Sequence, residues 1–263
     1  MTIHRSAAAL VGCLGLAAVA NAQPNVNGAT LHTRVFNDFP NSTLGTTNAY
    51  PGVVQISDGN LVNTPPSGFA NLHNWHLSAN GGASDAVFNN GDMFSLFADV
   101  SLTGTGQGEL GLQVAPWWSQ NVDGRFNLRS TDGEVAVFGG RLPFYSFTAA
   151  QGVHYVGGTT VRIGIEYNPN GLSSASPAQI RYTYGALDSG WLNFDEGNPM
   201  EPYGTWGMLD DARVGGYMQV FGAQTGTGTA IGTWGNISYV PAPSSLALLA
   251  AGGLLTSRRR RRA

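Results

Sequence analysis

Between residues 23 and 239 the chain places apolar residues at every second position. Phe94, Leu96, Ala98, Val100 and Leu102 share one face of a predicted strand, with Ser95, Phe97, Asp99 and Ser101 on the other. The alternation recurs at Leu110, Leu112 and Val114, at Val161, Ile163, Ile165 and Tyr167, and at Ile180, Tyr182 and Tyr184. It returns at Met218 and Val220, and in a closing strand at Ile231, Ile237 and Tyr239. Successive side chains of a strand point to opposite faces, so this period predicts antiparallel sheets with one buried side. No stretch in this region keeps a helical apolar period over three turns.

The breaks between strands carry turn chemistry: Ser57-Asp58-Gly59-Asn60, Asn89-Asn90-Gly91-Asp92, Thr131-Asp132-Gly133 and Asn168-Pro169-Asn170-Gly171. Gly and Asn supply positive φ there, and Asp and Ser bond to their own turns. About 12 to 15 short strands in one unit predict an all-β, two-sheet sandwich. Thr225-Gly226-Thr227-Gly228-Thr229 is read as the tip of a hairpin joining the last two strands.

The two ends depart from this pattern. His4 and Arg5 precede an apolar run over residues 7–20, then Ala20-Asn21-Ala22. This is the build of a secretory signal peptide, a signal helix over 1–22, removed by signal peptidase after Ala22 once the Sec translocon has engaged it. Leu10-Val11-Gly12-Cys13 matches a lipoprotein box, but residues 14–20 continue the apolar run, which favours the later cleavage. At the other end, Pro241-Ala242-Pro243 leads into an uncharged segment with Leu246, Leu248, Leu249, Leu254 and Leu255. Arg258, Arg259, Arg260, Arg261 and Arg262 follow it. Arginines behind an apolar helix stay on the cytoplasmic side. Ser244 to Ser257 makes roughly 21 Å of helix against a hydrocarbon core of about 30 Å, so the anchor is short.

The order of a Pro-x-Pro break, an apolar helix and an arginine cluster resembles the PEP-CTERM sorting signal of exosortase substrates. The glutamate of that signal is replaced here by Ala242, giving Val-Pro-Ala-Pro. The resemblance implies a transient membrane anchor over 240–263, read by an exosortase-like processing enzyme, and a body of residues 23–239 delivered to the cell surface, envelope or exterior. The length and strand pattern of that body are similar to the concanavalin A-like jelly roll shared by lectins and family-16 glucanases.

Composition narrows the partners. Cys13 is the only cysteine and lies in the leader, so the body has no disulfide. The body has no lysine and seven arginines (Arg34, Arg125, Arg129, Arg141, Arg162, Arg181 and Arg213) against sixteen Asp plus Glu. That formal balance of −9 disfavours nucleic acid as a partner.

Catalytic signatures are absent from the pattern. A retaining glucanase needs paired carboxylates on one strand face. Asp132 and Glu134 flank a turn glycine, and Asp195-Glu196 and Asp210-Asp211 are adjacent and point apart. An active glycosidase would have to draw on Glu134, Glu196 and Glu201. His73 and His76, three apart in a strand, face opposite ways and do not form a metal pair. No cofactor is required on this reading. The oxygen-rich loops around Asp92 and around Asp195, Glu196 and Glu201 are candidates for Ca²⁺. Trp191 and Trp206 beside the acidic loop are candidates for stacking on a sugar ring, and Trp117-Trp118, read as strand residues, should put one indole into the core.

The sequence therefore leads to the expectation of a secreted, non-enzymatic surface or extracellular-matrix protein. The alternative is a lectin-like carbohydrate-binding module or a degenerate family-16-like glucanase, with a polysaccharide as partner. Intact-mass analysis of protein recovered from its native envelope should show loss of residues 1–22. Substituting glutamate for all five arginines of 258–262 should abolish processing at the tail, and unchanged processing would refute the sorting signal.

Overall fold

In the computed structural model, described over residues 23–60, 69–195, 206–208, 210–221 and 228–241, fifteen strands form two antiparallel sheets. The leader with Ala20 and Ala22, and the tail from Ala242 through Pro243, the five leucines and the five arginines, lie outside these residues, as do Glu196 and Glu201. Among the described residues no helix is long and apolar enough to cross a membrane.

The seven-stranded sheet contains β1 (Gly28–Asn37), β4 (Ala70–Ser78), β6 (Gln107–Ala115), β7 (Arg125–Arg129), β8 (Val135–Phe138), β9 (Tyr145–Ser146) and β14 (Arg213–Phe221). Its order is β1-β4-β14-β6-β7-β8-β9. The second sheet contains β2 (Thr43–Ala49), β3 (Val53–Gly59), β5 (Phe94–Gly104), β10 (Val161–Asn168), β11 (Gln179–Tyr184), β12 (Leu187–Asp188), β13 (Leu192–Asn193) and β15 (Thr229–Pro241). Its order is β12-β11-β10-β5-β15-β3-β2, with β13 also on β11. The result is an all-β jelly-roll sandwich. One short helix, α1 (Phe147–Gln151), starts where the Ser146 hydroxyl accepts the Ala149 N–H at 3.0 Å and ends at left-handed Gly152.

The alternation read from the sequence holds where the ladder is regular. Phe94, Leu96, Ala98, Val100 and Leu102 are all buried in the core, as are Leu110, Leu112 and Val114. It fails in β15, where Ile231 points away from the core and Ala230 and Trp234 point in. A bulge between Gly235 and Ser238, with Asn236 at φ 46, then reverses the parity so that Ile237 is buried. The predicted final hairpin is likewise corrected. β14 and β15 belong to different sheets and do not pair with each other.

At the centre of the sandwich the Trp75 and Trp234 indoles meet edge to face at 6.1 Å. Trp234 Nε1–H donates to the Gly111 carbonyl at 2.9 Å. Gly216 leaves the room, since a Cβ there would lie 2.5 Å from Trp75 Nε1 and 2.7 Å from Trp234 Nε1.

A buried polar knot joins the sheets toward one end. Asp58 on β3 accepts from Asn71 at 2.7 Å and lies 3.0 Å from His73 Nε2, both on β4. His73 Nδ1 accepts the Arg34 N–H at 3.1 Å, so its Nε2 carries the hydrogen that goes to Asp58. Burial alone would raise the Asp58 pKa. The bonds from His73, Ser42 and Asn71 outweigh it and hold the carboxyl below its ordinary 3.8. A depressed folded-state pKa gives stability that is complete above 3.8 and is lost as pH falls through the folded value. Asp58→Ala, which strands the His73 and Asn71 donors, should cost about 3–5 kcal/mol at neutral pH. Urea melts should show the gap to wild type narrowing below pH 3.8.

Candidate functional site

Core residues of the seven-stranded sheet occupy one parity: Trp75 and Leu77, Val214 and Met218, Leu110 and Leu112, Phe126 and Leu128. The opposite parity forms the outer face, where the register stacks side chains in rows across the strands. One row runs Thr30, His76, Gly215, Gln113, Arg125. The next runs His32, Asn74, Tyr217, Gly111, Asn127. A third runs Leu72, Gln219, Glu109, Arg129.

Most of the polar side chains in these rows are buried, because chain folds back over them. Pro116 and the 3₁₀ turn Trp117–Ser119 lead into residues 120–124, whose successive carbonyls grip the sheet. Asn121 O accepts from Asn74 Nδ2 at 2.5 Å, Val122 O from Arg125 Nε at 2.7 Å, and Asp123 O from Gln113 Nε2 at 3.0 Å. The two tryptophans are therefore not strand residues. Trp117 is 46% exposed and Trp118 is partly buried, so neither enters the core.

Under this cover Arg125 Nη1 donates to Glu109 and to Gln219, each at 2.8 Å, while its guanidinium lies 4.7 Å from the Tyr217 ring centroid. Tyr217 Oη donates to Asn127 Oδ1 at 3.0 Å. Burial lifts the Tyr217 pKa well above its ordinary range, and burial also raises Glu109 against the pull of Arg125 and Arg129. Arg129 pairs with Glu134 and Asp132 at the rim. Six buried polar atoms of these rows and their cover have no hydrogen-bond partner among the described residues: Thr30 Oγ1, Asn74 Oδ1, His76 Nε2, Gln113 Oε1, Asn121 Oδ1 and Asn127 Nδ2. Folded proteins leave few such groups, and here six gather in one place.

At the β1 side of the face, Asp85 in the loop after β4 takes two imidazoles. His32 Nε2 lies 2.8 Å from Oδ1 and His76 Nδ1 lies 2.9 Å from Oδ2. Arg213 Nε stands 3.6 Å from Asp85 Oδ2, and its Nη1 pairs with Asp211 at 3.1 Å. Burial raises the Asp85 pKa, but the bonds from both histidines dominate and hold it far below the usual carboxylate range. His76 is pushed below its ordinary 6.5, chiefly by burial. Among the described residues, this trio is the single group of three or more metal-ligating side chains gathered within reach of one ion.

The residues singled out in the sequence fall elsewhere. Trp191 is 43% exposed beside β13, with the Arg181 guanidinium 5.3 Å from its ring centroid. Arg181 in turn pairs with Glu166 at 2.6 Å. Trp206 is partly buried, and its carbonyl accepts the Ala178 N–H at 2.8 Å. Both tryptophans thus flank the start of β11, away from the polar face. Asp92 is buried and closes its own turn by accepting the Asn89 N–H at 2.6 Å. Asp195 pairs with Arg141 at 3.2 Å beside a cleft of about 220 Å³ lined by Arg141, Phe144 and Asn193. Neither belongs to a group of three such ligands among the described residues. His73 and His76 do face opposite ways, His73 into the Asp58 knot and His76 outward.

No family model matches the chain, and no curated protein matches it. Solved structures of similar shape include the alginate lyase from Corynebacterium sp., 9% identical, covering 74% of this chain and 79% of that one, with a TM-score of 0.45. Another is a doubly substituted family 7 alginate lyase A1-II′ in complex with substrate, 10% identical, covering 74% and 81%, with a TM-score of 0.46. A singly substituted form of it with product is 10% identical, covering 75% and 83%, with a TM-score of 0.42. At these values the likeness is one of fold. These neighbours are enzymes by their printed names, a finding that goes against the expectation of a non-enzymatic surface or matrix protein.

Arg125 holds three partners of this face, so Arg125→Met should leave Glu109 buried without its cation. We expect a loss of about 3–5 kcal/mol in denaturant unfolding at neutral pH. Adding Glu109→Gln should return part of that loss, because the orphaned charge is gone.

Proposed function

We propose that the protein is a carbohydrate-binding β sandwich and that a hydroxyl-rich glycan chain lies along the outer face of the seven-stranded sheet. The observation that carries this reading is the set of six unpartnered buried polar atoms on Thr30, Asn74, His76, Gln113, Asn121 and Asn127. Amide, imidazole and phenol groups fixed by a sheet are the donors and acceptors that read sugar hydroxyls, and leaving them unmatched is costly. Arg125 and Arg129 at the same face add charge-assisted donors for hydroxyl or carboxylate oxygens. Entry requires residues 117–124 to lift. Sugar hydroxyls then take over the donors now bonded to the carbonyls of Asn121, Val122 and Asp123. Pro116 and Gly124, at φ 73, flank the moving segment. The export leader and the PEP-CTERM-like tail, both outside the described residues, would carry this face out of the cytoplasm.

The test is a glycan array of neutral β-glucans and polyuronates probed with the full chain, followed by titration of the hits. Tyr217→Phe removes one hydroxyl from the face and should weaken binding about five- to tenfold, the worth of one hydrogen bond of about 1 kcal/mol. Trp191→Ala, on the other sheet, should leave binding unchanged. Loss of binding in Trp191→Ala with none in Tyr217→Phe would move the site to the second sheet and overturn the proposal.

A further inference from the structure

We propose that His32, His76 and Asp85 form a binding site for a first-row divalent metal ion of the Zn²⁺ type, with one coordination position left to solvent. The three side chains come from β1, β4 and the loop after β4, and one ligand atom from each lies within 4.8 Å of the others. A tetrahedral zinc site with bonds of 2.0–2.2 Å sets its ligand atoms about 3.4 Å apart, so the trio needs to adjust by little more than an ångström at its widest. Two imidazoles and one carboxylate are a zinc-type donor set with three protein ligands and an open fourth position. The open position faces water: the His32 side chain is 31% exposed and that of Asp85 17%. A single carboxylate falls far short of the six to eight oxygens that Ca²⁺ takes, so this site is distinct in chemistry from the oxygen-rich loops around Asp92 and Asp195.

A second observation, on two of the atoms that also support the glycan reading, comes from behind His76. With Nδ1 turned to the ionised Asp85, that nitrogen must hold the ring hydrogen, and Nε2 is left as a bare acceptor. Gln113 lies against it in the same row, across Gly215, which has no side chain to separate them. The Gln113 amide nitrogen is spent on Asp123 O, so its oxygen is what remains toward the ring. His76 Nε2 and Gln113 Oε1 are both buried, and although the two side chains are close enough to interact, neither atom closes a hydrogen bond of good geometry. A metal on Nδ1 resolves this. The ring proton moves from Nδ1 to Nε2, and Nε2–H donates to Gln113 Oε1, the outer partner that metal-bound histidines regularly have. No proton is released from the ring in this exchange, because the imidazole stays neutral. At His32 the ring hydrogen likewise moves from Nε2 to Nδ1, so Asp85 trades two N–H donors for the cation and neither imidazole changes charge. Arg213 is a neighbouring cation that opposes the ion, and its bond to Asp211 gives it another anchor.

The experiment uses the full chain, stripped with a chelator and titrated with Zn²⁺ against a chromophoric competitor, and with Co²⁺ read by its visible d–d bands. One equivalent should bind. His32→Gln and Asp85→Asn should each weaken Zn²⁺ by about tenfold or more, and Gln113→Leu by about tenfold with the stoichiometry kept. Arg213→Gln should tighten binding, and His154→Gln, an exposed histidine elsewhere, should not change it. His32 sits on an edge strand and is partly exposed, so His32→Gln keeps the fold and decides the matter even if Asp85→Asn does not. No stoichiometric uptake, or uptake equal in wild type and His32→Gln, would overturn the site. Tyr217→Phe should bind Zn²⁺ normally, which separates failure here from failure of the glycan reading.

Discussion

A sheet covered on both sides must satisfy its polar side chains from within, and the seven-stranded sheet of this protein is covered on both. Its inner face packs against the second sheet around Trp75 and Trp234. Its outer face lies beneath residues 117–124, and that is where Asn74, Gln113, Arg125 and Tyr217 are enclosed. Three consecutive peptide carbonyls supply part of what water would otherwise give. They cannot supply all of it, and the remainder is concentrated along the two rows that also contain His76 and Asn127. The face is therefore poised between being a packed interface and being a receptor, and its stability is tied to whichever partner meets those groups.

The polar chemistry separates into two compartments that share one strand. β4 sends Asn71 and His73 inward to Asp58 and sends Asn74 and His76 outward to the cover and to Asp85. The inward knot has nearly all of its bonds closed within the protein and behaves as a rivet between sheets. The outward set leaves acceptors open. The same two residue types, histidine and asparagine, thus serve cohesion on one side of the strand and recognition on the other, decided only by parity along the backbone.

Much of the sandwich could be read from alternation, because strands such as Phe94–Gly104 are regular and half-buried. Reading failed where a local backbone event interrupted the count. The bulge at Gly235–Ser238 moved Ile231 to the wrong face, and the 3₁₀ turn at Trp117–Ser119 removed two indoles from a supposed strand. Sequence adjacency also misled for β14 and β15, which are consecutive in the chain and yet lie in different sheets. The candidate site was invisible for another reason. Gln113, Asn127, Tyr217 and Gln219 occupy the polar positions of alternating strands, the pattern of an ordinary solvent-facing side. Nothing in that pattern announces that another segment will roof it. Asp85 gave no signal either, because its partners His32 and His76 are 53 and 9 residues away and meet it only through the fold.

The position of β15 has a consequence for how the molecule is made. This strand, the last of the fifteen, is inserted between β5 and β3 in the middle of its sheet. Until residues 229–241 emerge, the two halves of that sheet have no ladder between them and expose facing unpaired edges. Completion must wait for a distant segment, a high-contact-order step that slows folding and lengthens the life of an open form. A chain assembled this way can close its second sheet only when its final strand arrives.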